Sequence, residues 1–258
     1  MEPDRYITNP EIGQAAKDHA LAVYPEESVG AIVSGFNGAD VSYYPLVNVS
    51  ETPERAFEIG ERPRTPMHAI IHSHTLDPSI APSRVDMASQ QAMGIPWGIV
   101  GCNGDTATGI HWFGDEVPIA PLLGRQFVSG FHDCWSLVRD VYRSQFGIVL
   151  QNIPRDEDWY KSDPPSDLLS YERIIETGFV PIDYRDAREG DVILGKVGRA
   201  GVVNHCGLLI GNGLVLHQLE GRNSRKEPVG PWMRFVRFVV RHKSFVDNHA
   251  RIPKVVLQ

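Results

Sequence analysis

The stretch DEVPIAPLLG, Asp115 to Gly124, divides this chain more sharply than any other feature. Its two prolines and one glycine interrupt regular structure, because proline has no backbone N–H and glycine has no β-carbon. Blocks of helix and strand pattern lie on both sides. The 258 residues are enough for two domains of ordinary size. We therefore expect a linker here and domains at 1–117 and 118–258.

A hydrophobic fraction of 42% allows each block its own core. The formal net charge of -7 argues against nucleic-acid binding and against attraction to an anionic membrane. Basic residues gather between Arg222 and Lys243, where a solvated face is the expected reading. Cys102, Cys134 and Cys206 are too sparse for a disulfide framework. The polar start MEPDRYITNPEIGQ predicts no signal peptide. No apolar run approaches the roughly 20 residues of a membrane span. The expectation is a chain made and folded in a cytoplasm.

In the first block, NPEIGQAAKDHALAVYP predicts a helix capped by Asn9, with Pro10 in its first turn. SVGAIVSGF and GADVSYYPLVNVS predict strands, and PERAFEIGER a helical turn or two. MHAIIHSH reads as a buried strand, and SRVDMASQQAMG as a helix with Ser83 in the N-cap position, continuing to Gly94. PWGIVGC and TGIHWFG complete a small mixed sheet with flanking helices, an α/β domain. In the second block, DCWSLVRDVYRSQFG predicts a helix capped by Asp133, with Gly147 past its end. DLLSYERIIETGFV predicts another helix; GDVILGKVG, VVNHCGLLIGNGLVLHQLEG and WMRFVRFVVR predict strands. Helices followed by antiparallel strands indicate an α+β domain.

Residues two apart on a strand share a face, so His72 and His74 project together. Two neutral imidazoles side by side begin a zinc site. A third ligand is available from Asp86 on the following helix or from Asp77 in the loop. Ser83, at the helix start, could donate to a developing oxyanion. A base for zinc-bound water must come from elsewhere. HSH followed by PS and D resembles the JAMM (Mov34/MPN) metalloprotease motif, over about Ile7 to Gly114. That resemblance implies a zinc ion held by His72, His74 and Asp86, with Ser83 as oxyanion helper and Glu27 in EESVG as base. The loop from Thr75 to Pro82 is one residue longer than that family's usual spacing. His68 is expected to pack, and Cys102 to be buried.

Cys134 begins its helix, where the positive end of the helix dipole favours a thiolate. A cysteine nucleophile needs a histidine and often a third group that orients it. His205 and His217 flank GNG. A three-residue loop there pairs His217 with Gly207 and puts both histidines on one face; a two-residue loop separates them. Cys206 then points away and is expected to be core. DCWSLVRDVYR, GDVILG, NHCGLLIG and LHQLEG resemble the NlpC/P60 family of papain-like cysteine peptidases, from about Gly124 to Val240. The resemblance implies Cys134 as nucleophile, His205 as general base and His217 as its orienting partner. It also implies cleavage of γ-D-glutamyl-diamino-acid bonds in the stem peptides of peptidoglycan. Cys206 departs from the small or β-branched residue usual there.

A metallopeptidase-like half followed by a cysteine-peptidase-like half is similar to a family of phage tail tip proteins. That similarity implies other tail tip proteins as partners and action at the host cell wall from the virion tail tip. Two alternatives are a structural tail-tip adaptor with one or both sites inactive, and a cellular isopeptidase acting on a ubiquitin-like modifier. The cysteine-peptidase half argues against the latter.

Overall fold

A computed structural model describes residues 3–35, 40–77, 79–246 and 255. The chain divides into two compact units, Met1–Pro118 and Ile119–Gln258. The division falls inside the proline-rich stretch.

The first unit is built on a five-stranded mixed sheet. Its strands are β1 (Val29–Ser34), β2 (Val41–Leu46), β3 (Met67–His74), β4 (Trp97–Gly101) and β5 (His111–Phe113), in the order β2-β1-β3-β4-β5. Only β3 and β4 are parallel, and α3 (Arg84–Met93) makes the crossover between them. β3 is central and buried along most of its length, which is why its apolar run is nearly continuous. A short α1 (Asp4–Ile7) precedes α2 (Pro10–Val23). The Asn9 side chain accepts from the N–H groups of Glu11 and Ile12 and caps α2, as expected. Ile12, Ala16 and Ala20 of α2 pack on Ile32, Ala69 and Ile71, filling one face of the sheet. Side-chain alternation turns His72 and His74 to the opposite face. Of the helical turn or two expected in PERAFEIGER, a single turn forms at its start. Arg55 and Ala56 N–H both bond to Thr52 O, making one turn, and Asn48 then captures the chain through the Glu58 N–H.

The second unit carries α4 (Cys134–Phe146) against a six-stranded antiparallel sheet. The strands are β6 (Phe179–Ile182), β7 (Val192–Gly195), β8 (His205–Leu209), β9 (Leu214–His217), β10 (Arg225–Pro228) and β11 (Val236–His242), in the order β10-β9-β8-β7-β11-β6. Leu137, Val138, Val141 and Tyr142 of α4 meet Val192, Leu194, Cys206, Leu208 and Leu216 in one core. α5 (Tyr171–Glu176) is shorter than expected. Gly178, at φ 97°, turns the chain so that Phe179 begins β6. WMRFVRFVVR also starts later as a strand, because Gly230–Trp232 forms a single 3-10 turn. The edge strands β6 and β10 are four residues each, too short to show period-two alternation in the sequence.

Candidate active sites

In the first unit, antiparallel pairing sets Val29 opposite His72. The ladder continues outward: Ser73 N–H donates to Ser28 O at 3.0 Å, and Ser28 N–H to Ser73 Oγ at 2.8 Å. Glu27 therefore lies opposite His74 and on the same face, and it is buried. Asp86 arrives from the first turn of α3. Its Oδ1 is 3.4 Å from His72 Nε2, and its Oδ2 is 3.5 Å from His74 Nε2. The two Nε2 atoms are 3.1 Å apart. A tetrahedral zinc ion with N and O ligands at about 2.0–2.1 Å requires ligand–ligand edges of about 3.3–3.4 Å. The two nitrogens stand 3.1 Å apart and each faces a different oxygen of Asp86, at 3.4 and 3.5 Å, so the three groups converge at separations close to that edge. This is also the only group of three potential ligands that close among the described residues. Asp77 is not part of it.

The surroundings fix the ligand states. His74 Nδ1 lies 2.8 Å from Ser79 O; donating there leaves a lone pair on Nε2. Burial pushes the His72 pKa down against the pull of Asp86. Burial would raise Asp86, but His72, His74 and Ser83 together hold it far below the carboxylate range. His74 is raised: Asp86 and Glu27 outweigh its burial. Burial lifts Glu27 to about 7, with His74 opposing and Asp86 assisting.

Ser83 caps α3, as its position in the sequence suggests, and it also binds the Asp86 carboxylate. Its Oγ accepts from Asp86 N–H at 3.1 Å and donates to Asp86 Oδ2 at 2.7 Å, while its own N–H donates to the same oxygen at 2.8 Å. This capping box starts α3 and aims the carboxylate. An oxyanion role would require the hydroxyl to leave Asp86. His68 instead bonds Ser34 Oγ at 2.6 Å, and Cys102 is fully buried.

In the second unit, Cys134 is the first residue of α4. The GNG turn has three residues, with Ile210 N–H bonded to Leu214 O. The register sets Gly207 opposite His217, as the three-residue loop requires. A β-carbon at Gly207 would lie 2.6 Å from Val215 Cγ2 and 3.2 Å from His217 Cβ, so the histidine strand needs a glycine there. His205 Nε2 and His217 Nδ1 stand 3.1 Å apart. Trp232 covers both rings, at centroid distances of 5.5 and 4.3 Å. Hydrogen bonds from Cys206 and from His205 bring the Cys134 thiol down to about 5, against its burial. The Cys206 thiol moves up through burial and its bond to Cys134. Cys206 is core, as expected, but it also touches the cysteine at the helix tip. Burial and the neighbouring His205 lower His217 to about 4. Cys134, His205, Gln218 and Trp232 line a cleft of about 1080 Å³.

Two further residues were not singled out in the sequence. Arg155 is buried and grips Asp133 with a two-point hydrogen bond, Nε to Oδ2 at 2.7 Å and Nη2 to Oδ1 at 2.8 Å. Its Nη2 also reaches Gly130 O at 3.0 Å. Asp133 accepts from the N–H groups of Ser136 and Gly130 as well. Burial would raise the Asp133 carboxyl; Arg155 and these N–H groups bring it down to about 2. Glu227 on β10 places Oε2 3.3 Å from His217 Nε2. An arginine in irregular chain and a glutamate on a four-residue edge strand carry no local signal.

A helix-tip cysteine beside two histidines on an antiparallel sheet defines the class of the second unit. It is an NlpC/P60 domain: residues 124–240 match the NlpC/P60 family. The chain as a whole belongs to the family of tail tip assembly protein K. It is 32% identical over 240 residues to that protein from Escherichia phage N15, covering 90% of this chain and 94% of the relative. Its match to the protein of Escherichia phage lambda is 31% over 180 residues, covering 69% of this chain and 82% of the relative. Among solved structures, an NlpC/P60 family protein from Bacillus cereus ATCC 10987 aligns at 17% identity and a TM-score of 0.34, over 91% of this chain and 66% of that one, just under two thirds of its length. NlpC2 from Trichomonas vaginalis aligns at 14% identity and a TM-score of 0.32, over 84% of this chain and 72% of that one.

Proposed function

We propose that this chain is a two-site hydrolase of a phage tail tip. The second unit cleaves stem peptides of peptidoglycan for passage through the cell wall. The first unit is a JAMM-type zinc peptidase that acts during tail assembly. The observation that carries the reading is Cys134 at the tip of α4, lining one cleft with His205, which in turn meets His217.

The Cys134 thiol gives its proton to His205, and the thiolate attacks the carbonyl carbon of the scissile peptide bond. The carbon–nitrogen bond breaks, His205 returns the proton to the leaving amine, and the acyl group stays on sulfur as a thioester. Water, deprotonated by His205, then releases the acid and restores the thiol. His217 orients His205. The 1080 Å³ cleft has room for several residues of a peptide. Digesting purified peptidoglycan with wild-type and Cys134→Ser protein and weighing the fragments tests this: fragments should appear only with the wild type. Identical products would remove the cysteine mechanism.

In the first unit, His72, His74 and Asp86 would hold zinc. Bound zinc would supply a water acidified to near neutrality and a Lewis acid for the carbonyl. Glu27, buried on the same face, is suited to hold a proton near neutral pH. Ser83 keeps Asp86 aimed. The convergence of the two imidazole nitrogens and the Asp86 carboxylate supports this reading. Metal analysis of the purified protein tests it: about one zinc per chain is expected, falling to background in His72→Ala. A zinc-free wild type would overturn it.

A further inference from the structure

The two ring nitrogens of His217 face different neighbours. Nδ1 lies 3.1 Å from His205 Nε2. Nε2 is buried and lies 3.3 Å from Glu227 Oε2, close but not aligned as a hydrogen bond, and it has no hydrogen-bond partner among the described residues. A neutral imidazole carries one proton and one lone pair, and its neighbours select the nitrogen that holds the proton.

The reaction makes one tautomer necessary. When His205 takes the Cys134 proton it carries a proton on each nitrogen. Its Nε2–H must then donate to His217 Nδ1, which must offer a lone pair. The His217 proton must therefore sit on Nε2. The opposite tautomer would set two N–H groups against each other just as His205 becomes positive.

Glu227 is placed to make that choice. Its carboxylate oxygen is the acceptor nearest His217 Nε2. Oε2 is held by the Trp232 indole N–H at 2.9 Å, and Oε1 by Arg225 Nε at 2.8 Å. Trp232 thus screens both histidine rings and also holds the carboxylate. The ladder fixes the backbone too: Glu227 pairs with Val215 and Arg225 with His217. Among the described residues, the charged groups facing His217 are His205 from β8, and Arg225 and Glu227 from β10, and of these only Glu227 brings an acceptor near Nε2.

We propose that Glu227 is a positioning residue for the thiol chemistry, holding the His217 proton on Nε2 so that Nδ1 accepts from His205. The proposal rests on the cysteine-peptidase reading above, and its test separates the two. The full chain is labelled with 15N-histidine, and the His217 tautomer is read from the nitrogen shifts and their couplings to ring protons. Wild-type His217 should be the Nε2–H form. Glu227→Ala, and the near-isosteric Glu227→Gln, should shift it to a mixture or to Nδ1–H. On peptidoglycan, kcat should fall about tenfold or more in both variants while KM stays within about twofold. Glu227→Asp should recover part of kcat. Wild-type His217 in the Nδ1–H form would overturn the proposal, whether or not the variants fold. So would an unchanged tautomer in folded Glu227→Ala. Identical fragments from wild-type and Cys134→Ser protein would instead remove the peptidase reading, and the tautomer would still decide the part played by Glu227.

Discussion

Asp133 has two duties at one position. It caps α4 beside the helix-tip cysteine, and it neutralises a buried arginine. Removing one partner of such a pair leaves an unpaired buried charge. Arg155→Ala should cost about 3–5 kcal/mol in denaturant unfolding. It should also slow alkylation of Cys134 at neutral pH, because α4 loses its fixed start. The pair predicts acid sensitivity. The Asp133 carboxyl titrates near 2 when folded and near 3.8 when unfolded, so its contribution is complete above about pH 4 and is lost as pH falls toward 2. That difference is worth about 2 kcal/mol, and Asp133→Asn should flatten the stability curve over this window. The cysteine and both histidines were legible in the sequence because helix tip and strand alternation fix where they point. Arg155 was not, because the contact that matters spans 22 residues, across the whole of α4 to a segment without regular structure.

Among the elements, α3 links local folding most directly to a site. Ser83 and Asp86 close a capping box, and the capping carboxylate is the one that faces the two histidines. Ser83→Ala should destabilise the first unit by about 0.5–2 kcal/mol. It should also weaken zinc binding by about 10–100-fold, since Asp86 loses a bond that aims it. Zinc titration with a chromophoric competitor reads the second effect and thermal melting the first. Helix starts and central strands were readable because capping residues and β-branched runs are local signals: Asn9, Ser83 and Asp133 all cap as their types suggest. PERAFEIGER stops after one helical turn because its chain meets Asn48, whose amide bonds Glu27 O and Ala56 O and ties the segment back toward β1. β10 was invisible in the sequence, since Arg-Lys-Glu-Pro has no apolar alternation and is recruited by β9.

For the whole molecule, the two candidate sites lie in different units with different cores. Chelation should therefore be selective. EDTA should lower the melting transition that reports the first unit, since a bound ion stabilises only the folded form. The rate of Cys134 alkylation should stay unchanged. A matching loss of thiol reactivity would mean that the metal supports both units. The order of the second unit's parts along the chain has a consequence in time. Synthesis delivers Cys134 first, Arg155 next, and β8, β9 and β10 well after both. Until Arg155 is in place the start of α4 has no anchor, and until β9 pairs with β8 the two histidines have no common face. A growing or truncated chain thus carries an ordinary thiol. Hydrolytic capacity is conferred only on the finished molecule, and a cell translating this protein is exposed to it no sooner than that.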